Sequence, residues 1–203
     1  MTPAVNREGY ISELDSQKIS SSTQIHDLKK ARLLMKALRE QVTDNYHGWL
    51  GGARVEELDG KITAARTILE EACNRFPTSE TIFLEAARLS PSAQQARRIL
   101  QRGIKNNSKS VKLWQACIEK ESDSEKKKDI LKVAIEACPS SLDLWKQAVE
   151  METDKEEASK LLNKAVGCVN ASQSKDLWLA LAKLQTYEKA KDVLNRARAA
   201  LPT

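Results

Sequence analysis

An aromatic-anchored motif recurs along this chain every 31 to 34 residues. The anchors are Trp49, Phe83, Trp114, Trp145 and Trp178, spaced 34, 31, 31 and 33 residues apart. A period in this range belongs to helical solenoids, in which one helix pair cannot bury its apolar face alone and stacks on the next pair to do so. The period alone makes a scaffold a better expectation than an enzyme.

A second ladder runs in step with the first. Ala31, Ala65, Ala96, Lys127, Ala158 and Ala190 hold equivalent positions. Four residues on come Met35, Leu69, Leu100, Leu131, Leu162 and Leu194. Three further on come Leu38, Ala72, Gly103, Ala134, Ala165 and Ala197. Offsets of 0, 4 and 7 trace one face of an α-helix. The small members admit a neighbouring helix closely and the leucine fills the groove between them.

These patterns predict an all-α, right-handed superhelical solenoid of antiparallel helix pairs, about five repeats long. First helices carrying the aromatic anchor are expected over 46–58, 79–90, 110–121, 141–152 and 174–185. Second helices carrying the ladder are expected over 61–75, 92–106, 123–137, 154–169 and 187–201, with an unpaired first copy over 29–41. Turn chemistry agrees. Asp59-Gly60 separates the helices of the first pair, and Pro77 and Pro139 stop second helices. Ser90 is expected to cap the helix that follows, with Pro91 at its first position, and Asp27 to cap the first. Residues 1–27, with Pro3, Gly9 and the run Ser20-Ser21-Ser22-Thr23, lack a helical period. They read as an extended lead-in to an array over 28–203. The last helix offers Val193, Leu194, Ala197 and Leu201, so the array reads as cut, with an exposed apolar end.

Composition narrows the function classes. No apolar run approaches the ~18 residues of a membrane span, and Met1 to Glu8 lack the basic and apolar regions of a signal peptide. Cys73, Cys117, Cys138 and Cys168 form no C-x-x-C pair and fall on expected helices. They read as buried free thiols of a reducing compartment rather than zinc ligands. His26 and His47 have no partner pattern, and no phosphate loop, nucleophile elbow or zinc-protease motif occurs. No catalytic group, cofactor or metal is expected. The tryptophans read as core plugs between helices.

The net charge of +5 is local in origin. Between Arg88 and Lys112 lie seven basic residues and no acid, while the rest of the chain carries 26 basic and 28 acidic residues. Arg98, Arg102 and Lys105 share one stripe of the expected helix. With Arg97, Lys109 and Lys112 they make up the candidate partner-binding residues. The stripe suits an acidic protein segment or RNA phosphates. Little aromatic interleaving accompanies it, which favours the protein segment.

The repeat itself has a recognisable form. An aromatic residue is followed by an acid seven residues on, as in Trp49 to Glu56, Trp114 to Glu121 and Trp145 to Glu152, with Gly or Ala three or four residues on after Trp49 and Trp145. Then comes Ala65-Arg66-Thr67-Ile68-Leu69 and a helix-stopping proline. The motif resembles half-a-tetratricopeptide (HAT) repeats, found mainly in RNA-processing proteins, over about residues 28 to 203. The stretches Asp27–Leu34, Trp178–Leu184 and Thr186–Asn195, with Gly9–Leu14 upstream, are similar to splicing scaffolds of that family. The resemblance implies a nuclear protein whose partners are splicing factors of the tri-snRNP. Alternatives are an RNA-binding or a dimerising HAT module of another RNA-processing complex. It also implies that the first-helix acid faces a basic residue of the second helix: Glu56 with Arg66, Glu121 with Lys128. Ser90, Ser159 and Gln185 depart from the pattern, so three interfaces are expected to lack the pair, leaving Arg97 free for another use.

Overall fold

The computed structural model describes residues 22–42, 44–169 and 174–200. Among these residues there are eleven α-helices and no strand. In chain order they are α1 (Ser22–Gln41), α2 (His47–Leu58), α3 (Ile62–Arg75), α4 (Glu80–Arg88), α5 (Ala93–Asn106), α6 (Val111–Glu119), α7 (Ser124–Ala137), α8 (Leu142–Glu150), α9 (Lys155–Cys168), α10 (Lys175–Leu184) and α11 (Tyr187–Ala200). None is long and apolar enough to cross a membrane. The helix pairs of the repeat prediction are all present. They fall into two compact units, divided between Pro91 and Ser92.

Capping explains where the helices begin. Ser92, Ser110, Asp123 and Asp154 each accept a hydrogen bond from a backbone N–H two or three residues on, satisfying a donor that the first turn leaves open. Ser92, and not Ser90, therefore caps α5; the Ser90 hydroxyl instead donates to the Ala86 carbonyl at 2.8 Å. The first helix starts at Ser22, so Asp27 lies inside it rather than at its cap. Most of the 1–27 lead-in lies outside the described residues. At the Asp59-Gly60 turn, Gly60 has φ +78, a left-handed conformation that glycine adopts without a side-chain clash.

The two ladders form the cores. In the first unit Ala65, Leu69, Ala72, Ile82 and Phe83 are buried. In the second, Trp114, Leu131, Ala134, Trp145, Leu162, Ala165, Trp178 and Leu181 join one apolar cluster. The indole N–H groups of Trp114 and Trp145 donate to the carbonyls of Ser108 and Pro139, each six residues earlier, at 2.7 and 2.8 Å. Each anchor thus pins the loop that leads into its own helix. Trp49 departs from the core-plug expectation: it is half-buried.

Two adjacent ladder positions face different neighbours. On α11, Val193 is 7% exposed and Leu194 is 47% exposed. On α1 the order reverses, with Leu34 59% exposed and Met35 half-buried. Helix α11 packs on the first helix that precedes it, and α1 on the first helix that follows it. The earlier position therefore meets a helix pair's own first helix and the later one meets the next. The expectation of an exposed end formed by Val193, Leu194 and Ala197 is corrected accordingly: Val193 and Ala197 are buried and Leu194 is exposed, while Leu201 lies outside the described residues. Cys73, Cys117 and Cys138 are buried free thiols, but Cys168 is exposed. Burial raises the Cys117 and Cys138 thiols above their ordinary range.

Candidate docking face

The acid and base of the motif meet one repeat further along than the sequence reading placed them. Arg32 on α1 grips Glu56 on α2 through Nε to Oε1 at 2.5 Å and Nη2 to Oε2 at 2.9 Å, and reaches Asp59 Oδ2 at 2.7 Å. These carboxylates hold the Arg32 guanidinium charged well beyond its usual range, Glu56 contributing most. Arg97 on α5 pairs with Glu121 at the end of α6. Lys128 on α7 lies 3.6 Å from Glu152 after α8. The Gln185 amide donates to the Ser159 hydroxyl, so the last interface keeps the contact in neutral form. At the remaining interface Ser90 supplies no acid, and Arg66 Nε donates to the Leu89 carbonyl at 2.6 Å.

The pairs Glu56–Arg66 and Glu121–Lys128 are thus replaced by Arg32–Glu56, Arg97–Glu121 and Lys128–Glu152. At these three interfaces the base on the second helix reaches forward to the acid at the end of the next first helix. Only the second interface lacks both an ion pair and its neutral counterpart. The correction matters for function, because Arg97 is not a spare cation. Its partner Glu121 is 7% exposed and also accepts from the backbone N–H groups of Ser122 and Asp123. Burial acts to raise the Glu121 carboxyl, but those two amides and Arg97 together hold it below the ordinary carboxylate range.

First helices are tied by a second set of pairs one period apart. Arg54 Nη2 lies 2.9 Å from Glu85 Oε1. Arg88, the first residue of the acid-free stretch, holds Glu57 at 2.8 and 2.6 Å and Glu85 at 2.9 Å. In the second unit Lys146 Nζ is 3.2 Å from Asp176 Oδ2.

What remains of the basic stretch divides into two places. Arg98, Arg102 and Lys105 lie on the exposed face of α5, while Ala96, Leu100 and Gly103 bury the other. Lys109 is exposed in the loop that follows. Lys112 stands on α6, where it lines an open groove of about 770 Å³ with Gln115, Asp143, Lys175 and Asp176. The sequence reading missed this groove. Its signal was present, since Lys112, Asp143 and Asp176 each precede a tryptophan anchor by two residues. Trp114, the aromatic nearest the stripe in sequence, is 7% exposed and offers no surface for a base to stack on.

An exposed cationic helix face and, on another surface, a mixed-charge groove are each suited to binding by charge and shape. Among the described residues no group of His, Cys, Asp and Glu is arranged to hold a metal ion.

No protein-family model matches the chain. It is 41% identical over 101 residues to Protein STABILIZED1 of Arabidopsis thaliana, covering 50% of this chain and 10% of that protein. To human pre-mRNA-processing factor 6 it is 40% identical over 119 residues, 59% of this chain and 12% of that one. To pre-mRNA-splicing factor 6 of Saccharomyces cerevisiae it is 35% identical over 202 residues, 98% of this chain and 22% of the yeast protein. Among solved structures, the TPR protein YrrB is similar at a TM-score of 0.45, with 16% identity over 87% of this chain and 97% of that one. The chain spans about a tenth of the length of the Arabidopsis and human relatives. With its paired helices, anchored tryptophans and forward-reaching acid–base contacts, the chain is a HAT/TPR-type repeat protein homologous to pre-mRNA-processing factor 6.

Proposed function

We propose that this chain is a protein-docking segment of a nuclear pre-mRNA splicing scaffold that bridges components of the tri-snRNP. Homology to pre-mRNA-processing factors supports the splicing role, and the stacked helix pairs support binding over catalysis. The single observation that carries the site is the exposed face of α5, where Arg98, Arg102 and Lys105 stand together with no acid between Arg88 and Lys112. An acidic segment of a splicing protein is the occupant. Each charge contributes modestly at a solvated surface, so affinity comes from several such contacts made together.

The experiment is a titration of an acidic peptide and of an oligouridylate against the wild-type chain and an Arg98→Glu/Arg102→Glu/Lys105→Glu variant, at two salt concentrations. Arg97 is left intact because its loss would strip Glu121 of its partner. Peptide binding abolished by the charge reversal supports the reading. Tighter oligouridylate binding with a steep salt dependence, lost in the same variant, moves the face to RNA. Unchanged peptide binding in the variant removes α5 from the site.

A further inference from the structure

The acid position of the repeat, seven residues after the aromatic anchor, is Glu56, Glu121 and Glu152 in three copies and Ser90 after Phe83. The backbone at Ser90 is set as it is at Glu121 and Glu152. Each is the second residue beyond a helix end, after Leu89 on α4, Lys120 on α6 and Met151 on α8, whose φ values are −80, −79 and −81. Each donates its backbone N–H to the residue three back, Ser90 to Ala87 at 3.3 Å, Glu121 to Ile118 and Glu152 to Val149 at 3.2 Å. The side chain of Ser90 therefore leaves the chain as those of Glu121 and Glu152 do. Theirs meet a base on the preceding second helix, Arg97 or Lys128.

The corresponding base for Ser90 is Arg66 on α3. Its Nε donates at 2.6 Å to the carbonyl of Leu89, in the peptide group that leads into Ser90. Arg66 thus has a backbone carbonyl where Arg97 has a carboxylate. The Ser90 hydroxyl is too short to serve and turns back to the Ala86 carbonyl at 2.8 Å. A phosphoryl group on that oxygen changes both facts. Its terminal oxygens stand as many bonds from the β-carbon as those of a glutamate, so they reach where the Glu121 carboxylate reaches. Esterification also removes the hydroxyl proton, and with it the bond to Ala86. The group carries about −1.5 to −2 charges at neutral pH and presents three acceptor oxygens. A guanidinium matches such oxygens with two parallel N–H groups.

The surrounding sequence suits a kinase. Ser90 is followed directly by Pro91, the dipeptide that proline-directed protein kinases accept; Thr2-Pro3 is the other such pair in the chain. Ser90 is half-buried, and Pro91 to Gln95 are exposed in the loop and first turn that follow.

We propose that Ser90 is a phosphorylation site for a proline-directed protein kinase, and that its phosphoryl group pairs with Arg66 and makes this interface like that of Arg97 and Glu121. In the transfer the Ser90 oxygen forms a bond to the γ-phosphorus of a nucleoside triphosphate held by the kinase. The bond from that phosphorus to its bridging oxygen breaks, the nucleoside diphosphate leaves, and the hydroxyl proton passes to the kinase's general base. The site is separate from the exposed face of α5 and stands or falls without the docking reading above.

The test has two arms. In the first, phosphoserine is encoded at position 90 by stop-codon suppression, and the chain is compared with its unmodified form, each with and without Arg66→Met, which keeps an apolar stem in place. The phosphoryl group should raise the melting temperature by about 2–4 °C, the size of one charge-assisted pair in a chain of this length. Its phosphorus NMR signal should titrate below the ordinary second pKa of about 6, because an adjacent guanidinium favours the dianion. Both effects should vanish with Arg66→Met. In the second arm the unmodified folded chain is incubated with adenosine triphosphate, magnesium and either a mitogen-activated or a cyclin-dependent kinase, and the phosphate is mapped by mass spectrometry. Phosphate is expected at Ser90 and should be lost there in Pro91→Ala. A melting temperature that phosphoserine leaves unchanged or lowers, effects that survive Arg66→Met, or no phosphate at Ser90 from either kinase would each overturn the proposal.

Discussion

Truncating the ladder leucine should cost very different amounts along the chain. Leu131 is 1% exposed and Leu194 is 47% exposed, although they hold the same repeat position. Leu→Ala removes three carbon groups. At about 0.8 kcal/mol per buried group the transfer loss at Leu131 is about 2.4 kcal/mol. The enclosed cavity left among Trp145, Leu162 and their neighbours adds to that, giving about 3–4 kcal/mol within the usual core range. At Leu194 about half the side chain is already wet, so the transfer loss is about 1.2 kcal/mol. No closed cavity forms there, because the space opens to solvent. Arrays of repeats open locally, so the readout is amide hydrogen exchange resolved by helix, backed by urea melts. Leu131→Ala should raise exchange strongly through α7 and α8, and Leu194→Ala only weakly within α11. Equal destabilisation by the two variants would refute the assignment of this ladder position to the contact with the following helix.

Two other outcomes follow from local geometry. Because the folded protein holds the Glu121 carboxyl below its ordinary range, its contribution to stability is complete above the unfolded carboxylate pKa of about 4.3 and is lost as pH falls through the folded value; Glu121→Gln should therefore flatten the decline of melting temperature between about pH 5 and pH 3. Gly167→Ala on α9 should stabilise by about 0.5–1 kcal/mol in urea melts, since its β-carbon would meet nothing within 4 Å. Gly48→Ala should destabilise, because its β-carbon would lie 3.2 Å from Leu38 Cβ and 3.3 Å from the Arg39 backbone nitrogen, neither of which yields unless α1 and α2 separate.

The helix pairs, their order and most of their ends were legible in the sequence by itself. A helix is a local object, and its buried stripe is written in residues three and four apart, so Ala65, Leu69 and Ala72 declare α3 without reference to anything else. The exposed face of α5 was legible for the same reason, because Arg98, Arg102 and Lys105 lie opposite Ala96, Leu100 and Gly103. The tertiary structure alone decided which copies of the repeat touch. A repeating sequence offers every base an acid in its own repeat and another in the next, and the period cannot choose between them. Stacking chose the next, joining Arg32 to Glu56 and Arg97 to Glu121. That choice took Arg97 out of the docking face and set Lys112 on a different surface from Arg98. It likewise laid Arg39 across Gly48 and Gly52. The physical reason is one of range: hydrophobic periodicity specifies the face that each helix buries, whereas the pairing of polar groups across helices depends on their axial offset, which exists only once the helices are packed.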